Sequence, residues 1–322
     1  MELSILIPSR NEMFLARTVQ DILEHSEAET EIIVGLDGKW ADPPIKVDDR
    51  VTILFHPESI GQRAMTNACA RVARGKYVMK VDAHCSFEQG FDRKMLDGFK
   101  EVGDDVTMVP IMRNLWAFDW KCFHCGWKKY QGPTPEKCAD CGKPDKMRRK
   151  IIWKGKERPQ SVSYCFDSSP HFQYFNEFKR TPEYKEQLKT GFTETMSLQG
   201  SCFMCTKENY WKWEVSDEHL GNWGNQGIEV ALATWFNGGR VLVNHNTWYA
   251  HMFRTQGGDF SFPYDQKGRA VQKTKAIIKD KFWNKKHPKQ IHPVSWLVEK
   301  FWPVNGWTDE DLKKLKEEES HI

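Results

Sequence analysis

The chain has 322 residues, 39% of them hydrophobic and 28% charged, which are ordinary fractions for a soluble protein with a sizeable core. No run of 18 apolar residues occurs, which excludes a simple membrane span, and MELSILIPSRNE enters a strand pattern without a basic leader, so the expected location is cytoplasmic. The net charge of +3 is unevenly spread: Lys121 to Arg158 holds twelve Lys or Arg against four acids, a local +8 that leaves the remainder at −5.

The first hundred residues alternate between two periodicities. LSILIP (Leu3 to Pro8) predicts a strand, NEMFLARTVQDILEHS a helix, EIIVGLD (Glu31 to Asp37) and VTILFH (Val51 to His56) two more strands. The helix signal GQRAMTNACARVARG, the strand KYVMKVD and the amphipathic FDRKMLDGFKEV follow. Strands separated by helices of this length imply an α/β fold, with a mostly parallel central sheet flanked by helices. Ligands of such sheets bind beyond the carboxyl ends of the strands, where Asp37 and Asp82 both lie, so the two are expected to share one crevice.

After the strand DVTMVPIMR the pattern breaks. Within residues 119 to 158, Cys122-x2-Cys125 and Cys138-x2-Cys141 stand twelve residues apart, each pair followed by glycine. Four thiolates in two such turns suit a closed tetrahedral Zn²⁺ site of structural purpose, a zinc-ribbon insertion. Cys202-x2-Cys205 looks similar but lies on a strand pattern, where positions three apart point to opposite faces; it predicts ordinary buried thiols. Irregular, aromatic-rich sequence from Arg158 to Phe192 suggests an active-site loop region. ETMSLQGSCFMCTKENYWKW, the helix QGIEVALATWFNGG and the strand RVLVNHN restore regularity. The lysine-rich tail and the final TDEDLKKLKEEE helix read as peripheral. The resulting division is 1–118, 119–158, 159–264 and a basic helical extension, 265–322.

One triplet carries chemistry of its own. Alternate residues of an extended segment project to the same side, so Asp82 and His84 could grip one ion, and a carboxylate with an imidazole suits Mn²⁺ better than Ca²⁺.

Taken as an ordered series, SILIPSRNE, EIIVGLDG, GQRAMTNACARVARGKYVMKVDAHC, SLQGSCFMCTKENY, GNWGNQGIEVALATWFNGG and WYAHMFR resemble a family-2-like glycosyltransferase of the GT-A fold, and most closely the catalytic domain of the polypeptide N-acetylgalactosaminyltransferases. The resemblance covers about residues 1–105 and 195–254; the cysteine-rich insertion and the tail lie outside it. It implies a UDP-sugar donor whose diphosphate is held by Mn²⁺ or Mg²⁺ on Asp82, His84 and a later histidine, His251. It implies further that Asp37 contacts the uridine, that Pro8, Asn11 and Glu12 shape the same crevice, that Arg63 and Asn67 contact nucleotide or fix loops, and that Arg254 pairs with phosphate.

The chain departs from that pattern at Trp223-Gly224-Asn225-Gln226, where inverting relatives place an acid pair and the retaining family a Gly-Glu-Asn. Inversion needs a carboxylate to take the acceptor proton, leaving Glu229, Asp217 or Glu218 as candidates. Glu229 matches a family acid and serves either as base or to orient its neighbours, while Gln226 can hold the sugar but not take a proton. The resemblance to the retaining family implies retention.

For the acceptor, basic residues interleaved with Trp, Tyr and Phe suit a phosphate backbone with stacked bases, which ranks a hydroxymethylated pyrimidine in DNA first. A glycan, a lipid-linked sugar or a protein Ser/Thr follows. Two other classes stay open: a nucleic-acid-binding zinc-ribbon protein with an inactive GT-A half, and a nucleotidyltransferase.

Overall fold

The computed structural model describes residues 1–144, 146–253, 263–264, 268–287 and 289–321. Its first half follows the alternation of the sequence: β1 (Leu3–Ser9), α1 (Leu15–His25), β2 (Thr30–Asp37), β3 (Val51–His56), α2 (Gln62–Val72) and β4 (Tyr77–Val81). β1 lies between β2 and β4, with β3 outside β2, and all these pairings are parallel. β1, β2 and β4 are buried at every position because helices cover the sheet, so their sequences read as continuous apolar runs.

β5 (Cys85–Phe87), α3 (Phe91–Val102) and the long β6 (Val106–Cys122) come next, then β7 (Lys128–Tyr130) and β8 (Met147–Ser161). A two-stranded sheet of β9 (Tyr164–Phe166) and β10 (Phe172–Tyr174), then α4 (Pro182–Leu188) and β11 (Phe192–Glu194), fill the segment read as irregular. β12 (Cys202–Thr206), α5 (Lys207–Lys212), α6 (Gln226–Phe236) and β13 (Arg240–His251) complete the sheet, whose order is β11-β13-β6-β12-β4-β1-β2-β3.

The sheet is mixed rather than mostly parallel. β12 runs antiparallel to both β4 and β6, and β13 is parallel to β6 but antiparallel to β5 and β11. Periodicity reveals that a strand exists and which face it buries; its direction is set by the connection that delivers it. The expected boundary between residues 118 and 119 falls inside β6 and that between 158 and 159 inside β8. These two strands pair antiparallel from Met112 opposite Ser161 to Cys122 opposite Met147, forming an arm that continues the central sheet.

The C-terminal segment is not peripheral. α7 (Gly268–Trp283), α8 (Val294–Lys300) and α9 (Asp309–Glu319) bring Phe282, Leu297, Phe301 and Trp307 into the main core. Phe301 sits 5.0 Å from Phe178, ring centre to ring centre, and the Trp307 indole donates to the Phe166 carbonyl at 2.8 Å. Each such side chain contributes about 1.5–3 kcal/mol of burial, so removing the tail would strip the second half of its cover. The lysines between these anchors diluted their signal in the sequence. Among the described residues no helix is long and apolar enough to cross a membrane.

Candidate functional site

β4 ends at Val81 and Asp82 leads into a turn at Ala83 and His84 before β5, a course that is not the extended one expected but still leaves Lys80, Asp82 and His84 lining one cavity of about 320 Å³. β13 delivers His251 from the other side, its last residue paired with Asn114 of β6. The Met252 amide donates to the His84 carbonyl at 3.1 Å, so the two histidine segments are tied by backbone as well as by sequence pattern. The candidate ligand atoms of Asp82, His84 and His251 all lie within 4.8 Å of one another. Asp82 Oδ2 is 3.3 Å from His251 Nε2 and 3.9 Å from His84 Nε2, and the two Nε2 atoms are 3.1 Å apart. One carboxylate oxygen and two imidazole nitrogens so disposed could hold one divalent cation of the Mn²⁺ type.

The electrostatics favour that use. Burial alone would raise the Asp82 carboxyl, but the buried Lys80 ammonium and the hydrogen bond from His251 outweigh it and hold the acid well below the usual carboxylate range. Burial pulls the His251 imidazole down to about 4, against the opposing pull of Asp82, so at neutral pH it is in the form that binds a metal. Its other nitrogen, Nδ1, is buried without a hydrogen-bond partner among the described residues. Glu12 Oε2 lies 3.2 Å from His84 Nδ1, the carboxylate-to-imidazole contact that orients a metal-binding histidine.

Of the residues singled out in the sequence, Pro8, Glu12, Asp82, His84, Gln226 and His251 line this cavity together. The others do not. Asn11 is exposed, in a left-handed conformation (φ 55°) that turns the chain from β1 toward Glu12. Asp37 is fully buried behind the wall, accepting from the Ile60 and Gly61 amides at 2.6 and 3.0 Å, from the Ser59 hydroxyl at 2.9 Å and from the Tyr264 hydroxyl at 2.7 Å. It closes β2 onto the start of α2, and Tyr264 rather than Asp37 faces the cavity. Gly61 fits that turn because its φ is 95° and a Cβ there would stand 2.6 Å from Asn222 Oδ1. Arg254 lies outside the described residues.

Arg63, Asn67 and Glu229 act one layer behind. The Arg63 guanidinium donates to Glu229 at 2.8 Å and to the Gly221 and Gly224 carbonyls at 2.8 and 2.5 Å, and both charged groups are 1% exposed. Asn67 donates to the Ser216 carbonyl at 3.0 Å and to Glu218 at 2.8 Å. The assignment of Glu229 as a candidate base is therefore corrected: it is the counter-ion of Arg63 and also accepts from the Asp217 amide at 2.6 Å, with no face on the cavity. Burial pushes its carboxyl above the ordinary range, against the opposing pull of Arg63. Of the other candidates, Asp217 pairs with Lys281 at 2.6 Å and Glu218 with Asn67. This clamp holds the loop 221–225 that presents Trp223, Asn225 and Gln226. Arg63→Met, which leaves Glu229 buried and unpaired, is expected to cost about 3–5 kcal/mol in urea unfolding. A loss below 1 kcal/mol would show that the clamp is not holding the loop.

At the mouth of the cavity, Asn225 Nδ2 and Gln226 Nε2 are buried donors without a partner among the described residues. Gly227 lets α6 begin there, since a Cβ would fall 1.9 Å from the Leu198 carbonyl oxygen. Lys80 and Asn225 join the lining without having stood out as candidates in the sequence. The signal for Lys80 was present: a lysine within a buried strand, in phase with Asp82.

The second cluster is the cysteine quartet at the tip of the arm, whose four Sγ atoms also lie within 4.8 Å of one another. Cys122 and Cys141 are 3.8 Å apart and Cys125 and Cys138 3.5 Å, close to the roughly 3.8 Å edge of a tetrahedron with Zn–S bonds of about 2.3 Å. Hydrogen bonds from the backbone at Cys125 and His124 pull the Cys122 thiol down to about 6, toward the thiolate a metal needs. Cys202 and Cys205 lie buried on β12, and burial pushes both thiols up. The arm is basic and aromatic along its length, with Arg149 4.8 Å over Trp120, Arg148 4.7 Å over Phe123 and Lys156 4.4 Å over Tyr130. Its inner end is fixed by Trp153, which packs 5.5 Å from Phe14 and donates to Asp21 at 3.0 Å.

A family model described as Glycosyl transferase family 2 matches residues 4–213. A curated relative, "Putative polypeptide N-acetylgalactosaminyltransferase 13" of Drosophila melanogaster, is 23% identical over 278 residues, which cover 81% of this chain and 43% of the relative. Among solved structures, GalNAc-T7 with UDP, GalNAc and Mn²⁺ superposes with a TM-score of 0.64 at 16% identity, over 99% of this chain and 54% of that one. Residues 1-349 of S. aureus TarS give a TM-score of 0.48 at 8% identity, over 99% and 71% of the respective chains. The chain thus spans about half the length of the GalNAc-transferase relatives it matches. The architecture is GT-A, with a mixed central sheet.

Proposed function

The chain belongs to glycosyl transferase family 2, and on that premise we propose that it moves a sugar from a UDP-sugar to an acceptor hydroxyl in the cavity shared by Asp82, His84 and His251. The observation that carries this reading is the convergence of one carboxylate and two imidazoles from β4 and β13, beside a buried lysine. Mn²⁺ or Mg²⁺ bound there would supply the positive charge that stabilises a leaving diphosphate. UDP, GalNAc and Mn²⁺, the species in the GalNAc-T7 structure, are the first ligands to test. Asn225 and Gln226 offer amide donors for sugar oxygens. Among the described residues the lining carboxylates are Glu12, against His84, and Asp82, against Lys80; both are engaged, which supports transfer with retention.

For the acceptor we take a hydroxymethylated pyrimidine in DNA. The supporting feature is the arm, which starts beside His251 at Asn114 and carries its cations and exposed Phe123 and Tyr130 outward for roughly 26 Å to Cys122. A groove at its tip is lined by Lys121, Arg148, Arg149 and Lys150. Zn²⁺ on the four cysteines would keep that tip folded.

The experiment measures UDP released from a panel of UDP-sugars with Mn²⁺, with and without hydroxymethylated DNA. Release that EDTA abolishes and the DNA stimulates is expected. Release indifferent to DNA would overturn the acceptor and turn the search to glycans and protein hydroxyls, whereas no release from any donor would overturn the transferase reading.

A further inference from the structure

Asp82 has two oxygens, and the structure gives them different partners. Oδ1 accepts from Lys80 Nζ and, more distantly, from Gln62 Nε2 at 3.5 Å. Oδ2 faces the two histidines. Lys80 is 1% exposed, its stem buried in β4 and its ammonium on the cavity, where it also donates to the Gly200 carbonyl at 2.7 Å. Among the described residues, Arg10 is the other cation lining the cavity, and its guanidinium is turned to the Asp37 and Pro263 carbonyls.

We propose that Lys80 is a positioning residue for the divalent cation and its nucleotide: it occupies Oδ1, leaving Oδ2 for the ion, and it neutralises the one carboxylate of the donor set. This rests on the reading of Asp82, His84 and His251 as metal ligands. Two consequences follow from charge. A lysine sharing a carboxylate with a dication repels that dication at short range in a poorly solvated site, so it weakens metal binding in the absence of nucleotide. The same ammonium leaves the cation's charge uncancelled by Asp82, so it strengthens binding of a diphosphate once the metal is present. The site gives up affinity for the free ion in exchange for affinity for the ion with its nucleotide. A lysine that merely tied β4 to Gly200 would do neither.

The test compares the whole chain with Lys80→Met and Lys80→Arg. Mn²⁺ binding is read by electron paramagnetic resonance without nucleotide, UDP binding by calorimetry at saturating Mn²⁺, and folding by thermal melting in chelator. For Lys80→Met, Mn²⁺ is expected to bind about tenfold more tightly or better, and UDP about tenfold more weakly, with Lys80→Arg moving both back toward wild type. Opposite shifts cannot come from general loosening, which lowers both affinities together with the melting temperature. If wild type binds Mn²⁺ but Lys80→Met changes neither affinity, or lowers both, the role given to Lys80 is wrong while the metal site stands. If wild type binds no Mn²⁺, the metal site itself is wrong and this inference falls with it.

Discussion

Asp82→Asn is expected to lower sugar transfer by at least about 10²–10³-fold, because it weakens the hold on the cation that would stabilise the negative charge developing on the leaving diphosphate. The structure makes this a cleaner substitution than truncation. Asn keeps an oxygen for the Lys80 ammonium, whereas Asp82→Ala leaves that ammonium with the Gly200 carbonyl and costs about 3–5 kcal/mol of stability by stranding a buried charge. The pair of variants separates chemistry from folding. Asp82→Asn loses turnover with a smaller change in urea midpoint, and Asp82→Ala loses both. Turnover is read as released UDP at saturating Mn²⁺, and normal turnover in Asp82→Asn would sink the assignment of Asp82 to the cation.

Cys138→Ser has its effect at the other end of the molecule. The arm beyond Trp120 has almost no apolar interior: Cys122 and Cys138 are buried, but Phe123 is 51% exposed. Backbone pairing between β6 and β8 alone makes a marginal hairpin in water. Structural zinc contributes about 10–16 kcal/mol in small Cys/His sites at neutral pH, far more than this tip can gain from packing. Wild type is therefore expected to carry one zinc per chain, and Cys138→Ser to lose it. Residues 121–147 then lose amide-exchange protection, while the cluster of Phe14, Phe118 and Trp153 at the root of the arm keeps its own. On the proposed DNA acceptor, binding of hydroxymethylated DNA is expected to weaken in step, with UDP release in the absence of acceptor unchanged. Zinc-free wild type with a protected tip would show that the four thiols do not need a metal.

Much of the site was legible because it lies where a strand ends. Asp82 and His84 are two residues apart after an apolar run, which predicts one side for both; the chain turns at Ala83 and His84, and both still line the cavity. The cysteine quartet was legible for a similar reason, since its spacing describes two local turns. His251 needed the resemblance to a family, because 167 residues separate it from His84 and HMFR by itself reads as core. Glu229 shows the limit of motif matching. An acid at a matched position in a helix could face the cavity or the core, and the tight approach of Gly227 to Leu198 belongs to a packing geometry that no linear pattern encodes. Asp37 ends β2 as the strand pattern predicts, yet its carboxylate is consumed by the turn into α2.

Hydrophobic period reports local geometry, so the main strands and helices of the first hundred residues are readable from residue order, although the apolar run of β3 lies largely exposed at the sheet edge. Long-range packing sets the remainder: the antiparallel course of β12, the pairing of β6 with β8 along the arm, the burial of Phe301 and Trp307 from a lysine-rich tail, and the meeting of His84 with His251. Each of these depends on which segment lies next to which, and short-range periodicity carries no information about neighbours distant in the chain.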